Sequence, residues 1–125
     1  MKIRKLSLAL LGIAAVAAPA LGVLSAAPAE ADVRPCPGGN PARCAQVIKV
    51  NTYLGVRTDP WYGAPVVAKL YNGWWTEVEC WTYGSGAADN PNYKIWTRVS
   101  SGSYWGYVSD WYLDTGNVQA QLPRC

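Results

Sequence analysis

The chain is expected to fold as an all-β domain, a small barrel or sandwich. Three observations carry this. From Gln46 onward the sequence consists of short apolar or alternating runs separated by Gly, Pro, Asn and Asp. No stretch has the 3.6-residue periodicity of a helix. Four cysteines, Cys36, Cys44, Cys80 and Cys125, suit a small disulfide-braced domain.

The first 31 residues are set apart. Lys2, Arg4 and Lys5 form a basic start, Leu6 to Leu24 is apolar, and Ala29-Glu30-Ala31 fits a small-x-small cleavage pattern. This is the layout of a signal peptide over residues 1–31. A retained membrane anchor fits less well, because Pro19, Gly22 and Pro28 interrupt the run. The mature protein is expected to be secreted, extracellular and free of the membrane after cleavage.

Cleavage changes the charge. The whole chain has 11 basic and 8 acidic residues, and losing Lys2, Arg4, Lys5 and Glu30 leaves 8 against 7. No basic cluster remains, which argues against a nucleic-acid partner.

Residues 32–45 hold Pro35, Pro37, Gly38, Gly39, Asn40 and Pro41 and read as an irregular N-terminal arm. The barrel domain follows over 46–125. Four cysteines allow three pairings. Cys36–Cys44 as a local clip and Cys80–Cys125 as a tether for the C-terminal tail are favoured. On chain-entropy grounds these closures stabilise by about 2.5 and about 4 kcal/mol. A zinc site is disfavoured because there is no Cys-x-x-Cys pair and no His.

The expected strands are Val47–Val50, Gly55–Arg57, Val66–Tyr71, Trp75–Trp81, Lys94–Val99, Tyr104–Val108 and Tyr112–Leu113. Trp75–Trp81 is the clearest. Thr76, Val78 and Cys80 alternate with Trp75, Glu77, Glu79 and Trp81, so Val78 and Cys80 should face inward and both glutamates outward. Between Tyr83 and Asn92 periodicity disappears and a long exposed loop is expected. Ser109-Asp110 before Trp111-Tyr112 suggests a tight turn. Leu54, Val56, Val66, Leu70, Val78, Val99, Val108 and Leu113 are the expected core.

Four blocks in order are similar to one known family. Tyr53-Leu54-Gly55-Val56-Arg57-Thr58-Asp59-Pro60 resembles the opening signature of bacterial SH3-like (SH3b) domains. Pro65-Val66-Val67-Ala68-Lys69-Leu70, with the turn at Gly73, resembles the next element. Trp96-Thr97-Arg98-Val99 and Gly106-Tyr107-Val108-Ser109-Asp110-Trp111-Tyr112-Leu113 resemble the closing strands. The chain departs from the family at Gly55, Asp59 and Thr97, and at Trp61-Tyr62-Gly63-Ala64, where the loop beside the family's groove is remodelled. The resemblance implies a small SH3-like barrel behind the disulfide-clipped arm. It also implies a partner in cell-wall peptidoglycan or a peptide, as for many members.

All seven Trp and all eight Tyr lie between Tyr53 and Tyr112. That is more than a small barrel can bury, and Trp and Tyr concentrate in binding sites. Trp96 is assigned to packing, as the family's strand Trp is. Trp61, Tyr62, Trp105, Trp111 and Tyr112 are the candidate ligand-binding residues, with at least three expected in one groove. The bland alternative is that they shield the core beneath the loops.

Catalysis is not expected. Without His, no Ser-His-Asp or Cys-His arrangement can form, and oxidised cysteines offer no thiolate. Glu77 and Glu79 are the only close acidic pair and read as a solvated polar strand face. Asp89-Asn90-Pro91-Asn92 lacks calcium-loop spacing and reads as a turn. Arg57 is expected to pair with Asp59 or Asp110. The expectation is a monomeric, non-catalytic binding module with no cofactor and no metal. A small secreted enzyme inhibitor or protein-interaction domain is the alternative.

Overall fold

Seven strands take up the alternating runs: β1 (Arg34–Pro35), β2 (Arg43–Gln46), β3 (Leu54–Arg57), β4 (Val66–Leu70), β5 (Trp75–Tyr83), β6 (Ile95–Ser101) and β7 (Tyr104–Ser109). The structure, a computed structural model, describes residues 32–125. The signal segment lies outside the described residues. The strands form one antiparallel sheet in the order β1-β2-β5-β6-β7-β3-β4. Short 3-10 turns occupy Pro37–Gly39, Asp110–Tyr112 and Val118–Ala120. None of the described helices is long and apolar enough to cross a membrane.

β5 follows its alternation. Thr76, Val78 and Cys80 are buried, while Glu77 and Glu79 are half-exposed. The sheet curls around a core that includes Val47, Leu54, Val56, Leu70, Val78, Val99, Val108 and Leu113. Val66 is a correction, since it is 37% exposed. The β3–β4 register shifts at Val56/Arg57 and sets Val66 opposite the outward-facing Arg57. Trp96 is fully buried, and its indole Nε1 donates to the Ser85 carbonyl at 2.7 Å.

Two expected strands are not continuous strands. In 47–50 only Val47 pairs, through an isolated bridge to Leu113. Lys49 turns into the left-handed region at φ 64°. Its neighbours hold it there: Ile48 N–H donates to the Tyr112 carbonyl at 2.9 Å, and Val50 exchanges hydrogen bonds with the Asn72 side chain. At the other site, Tyr112 ends a 3-10 turn.

The arm carries its Cys36–Cys44 clip and is more regular than its Pro and Gly content suggests, adding β1 and β2 to the sheet. Cys80 is bonded to Cys125. The tail lies along β5, with Trp81 N–H donating to the Pro123 carbonyl and Cys125 N–H to the Trp81 carbonyl at 3.1 and 2.9 Å. The Arg124 guanidinium stands 4.9 Å from the rings of both Trp81 and Tyr83. Together these cover the β5 edge that β2 leaves open.

The segment expected as a long exposed loop is instead folded down. Ala87 is buried and bonded to Tyr93 through its N–H. Glycine permits this. A Cβ on Gly84 would lie 1.9 Å from the Pro60 carbonyl oxygen, and one on Gly86 would lie 2.0 Å from that of Pro91.

Candidate functional site

Four segments converge on a cleft with a volume of about 480 Å³. The bend from Lys49 to Gly55 forms one wall. Arg57 and Tyr62 come from β3 and the loop after it, Ala88 and Asp89 from the folded-down segment, and Tyr112 from the 3-10 turn. The size suits a small ligand or a short run of polymer.

Arg57 shapes this cleft, and not through the expected ion pair with Asp59 or Asp110. Its Nη1 donates to the Tyr62 and Ala64 carbonyls at 2.8 and 3.0 Å. Its guanidinium lies 5.0 Å from the Tyr62 ring centre. The Tyr62 ring meets Trp96 edge-on at 5.3 Å, and Ser85 Oγ accepts from its backbone N–H at 3.1 Å. Tyr62 is therefore held from three sides. Tyr112 is 7% exposed and its hydroxyl donates to Asp89 Oδ1 at 2.9 Å. Burial, and then the bond to Asp89, push the Tyr112 phenol up to about 12, so it stays a donor. Tyr53 is 40% exposed, with Lys69 Nζ 4.7 Å from its ring centre, and is the least committed of the three tyrosines.

Of the five residues expected to make the groove, the structure brings Tyr62 and Tyr112 together there. Trp111 sits next door. It lines a smaller cavity of about 240 Å³ with Ile48, Tyr93, Asp110, Leu113, Asp114 and Gly116. Lys49 borders both cavities, its ammonium 3.5 Å from the Trp111 ring centre. Trp61 and Trp105 line neither, although they are 49% and 52% exposed. The expectation of three in one groove is corrected to two. Alternation sends Trp105 to the outer face of β7, and Trp61 projects from the loop that Arg57 ties back.

Tyr53, Lys49, Arg57 and Asp89 are lining residues that the sequence reading did not select. Tyr53 opens the first family-like block, which was a usable signal. The turn at Lys49 has no Gly or Pro between Ile48 and Thr52 to mark it.

Behind the smaller cavity lies a buried carboxylate. Asp110, 2% exposed, accepts from Tyr93 Oη at 2.6 Å, Thr97 Oγ1 at 2.8 Å and Thr115 Oγ1 at 2.8 and 3.0 Å. Burial raises its pKa above the ordinary carboxylate value, and these hydrogen bonds and the Lys49 charge counter only part of that. Burial and the adjacent carboxylate also push the Tyr93 phenol up. Asp110 binds β6, the 3-10 turn and Thr115 into one unit and faces the rear of the Trp111 cavity.

The cleft presents phenol, cationic and amide side chains. Asp89 is the only carboxylate in its lining and already accepts from Tyr112. Among the described residues no three His, Cys, Asp or Glu side chains converge as metal ligands. No family model, curated protein or solved structure matches the chain.

Proposed function

We propose that the protein is a secreted, non-catalytic binding module of the SH3-like class that holds a cell-wall peptide in the tyrosine cleft. The carrying observation is the cleft itself: three tyrosines, two cationic side chains and one carboxylate around about 480 Å³. An extended peptide presents what these groups take up. Its amides hydrogen-bond to phenols and to Asn51 or Thr52, its carboxylates meet Lys49 and Arg57, and its apolar side chains lie on the rings. The family-like blocks support the same reading, since they supply β3, β4, β6 and β7 and the turn that carries Tyr112. Two disulfides fit an oxidising, extracellular setting.

The test is co-sedimentation with purified cell walls, followed by release with soluble wall peptides. The protein should pellet, and free peptide should return it to the supernatant. Tyr53→Ala should weaken peptide affinity about tenfold, the usual scale for truncating a binding-site aromatic. Protein that stays entirely in the supernatant overturns the reading.

A further inference from the structure

Trp105 remains unexplained by the cleft. It is half-exposed on the outer face of the sheet, where a free indole adds nothing to the core. Its surroundings are organised. Register places Ser100 opposite Trp105 and Arg98 opposite Tyr107. The Trp105 and Tyr107 rings meet edge-on at 5.9 Å, and the Arg98 guanidinium lies 5.1 Å from the Trp105 ring centre. On the next strand, a bulge between Val78 and Cys80 brings Glu79 between two partners. Arg98 Nε donates to one of its oxygens and Ser100 Oγ to the other, both at 2.8 Å.

The result is an aromatic and polar platform across β5, β6 and β7, and none of its residues lines either cavity. Stability alone does not account for it, because a partly solvent-exposed ion pair contributes little.

We propose that this platform is a second binding site, for a neutral glycan chain stacked on Trp105 and hydrogen-bonded to Arg98 and Glu79. Charge selects the occupant. Arg98 and Glu79 compensate each other at 2.8 Å, so a polyanion, a polycation or a charged membrane meets no net opposite charge. A polyhydroxyl chain meets a fixed acceptor and a fixed donor, each charge-assisted. The carbohydrate C–H face is electropositive and apolar, and complements the negative face of an indole. Because Arg98, Glu79 and Ser100 already hold one another, little side-chain freedom is lost on binding. The inference does not depend on the peptide reading.

The experiment is calorimetric titration of the purified, oxidised protein with chitohexaose and cellohexaose, both neutral and free of peptide. Polygalacturonate serves as the anionic control. Backbone amide shifts at Trp105 and Ser100 locate the contact. At least one neutral hexasaccharide should bind saturably, and Trp105→Ala and Glu79→Gln should each weaken it by about tenfold. Tyr53→Ala should leave glycan affinity unchanged, which separates this site from the cleft. Because Trp105 is exposed, its alanine variant should keep the remaining amide spectrum. The proposal is overturned if neither hexasaccharide binds, if binding is unchanged in Trp105→Ala, or if polygalacturonate binds more tightly than both.

Discussion

Replacing Asp110 with alanine should remove about 3 kcal/mol of stability, and the figure can be worked from its three hydroxyl partners. Thr97 and Thr115 are fully buried. Each would lose an acceptor with no route to water, at about 1–3 kcal/mol apiece. Tyr93 is only half-buried and can turn its hydroxyl outward. Relief of the buried carboxylate's desolvation offsets part of the loss. A loss of about 3 kcal/mol is severe for a domain of this size, whose total stability is on the order of 5–14 kcal/mol. In urea at neutral pH the midpoint should fall without a change in slope, and the melting temperature should drop by about 15 °C. A loss under about 1 kcal/mol would show that the hydroxyls find other partners and that Asp110 is not the junction described. The pH dependence offers an independent check. Asp110 has its pKa raised in the folded protein, so above the ordinary value of 3.8 the native state binds the proton more tightly than the unfolded chain. That contribution is fully present below the ordinary value and is lost as pH rises through the raised one. Relative to Asp110→Asn, which does not titrate there, the wild type should therefore lose stability as pH rises from about 4 towards neutral. A constant difference, or one of opposite sign, would refute the assignment.

Two further outcomes follow from the brace and the close-packed turn. Cys125→Ser opens a disulfide with a sequence separation of 45. It should cost about 4 kcal/mol in denaturant unfolding, and limited proteolysis should then clip the tail around Pro123 before any other site. Gly84→Ala forces a Cβ against the Pro60 carbonyl at 1.9 Å and the Trp96 indole at 2.7 Å. It should cost more than about 3 kcal/mol and shift the buried Trp96 indole N–H resonance. An unchanged spectrum would mean that the loop has room to move.

The strands that alternate were legible, and β5 is the plainest case because burial on one face leaves a period of two in the residues themselves. The Trp96 packing role and both disulfides were also within reach. The cleft was only partly so. Tyr62 and Tyr112 stood out as aromatics, but nothing local says that Arg57 would be spent on the Tyr62 and Ala64 carbonyls. Asp89 looked like part of a turn because its bond to Tyr112 spans 23 residues. The left-handed Lys49 is imposed by Asn72 and Tyr112 from elsewhere in the chain, so its own residue type gives no notice. Trp61 and Trp105 show the opposite failure. Aromatic identity marks a residue worth exposing, whereas strand parity decides which face receives it.

The strand order carries a consequence for how the molecule is made. Strands β5, β6 and β7 are consecutive in the chain and adjacent in the sheet, so their pairing closes only local loops. Joining β2 to β5 and β3 to β7 requires distant segments to meet and is slower for entropic reasons. The central meander should therefore assemble first, as a template carrying Cys80 on its outermost strand. Cys125 reaches its partner only once the tail has found the β5 edge. Correct oxidation is then a reporter of finished folding: the bond that fastens the chain is among the last to become geometrically possible.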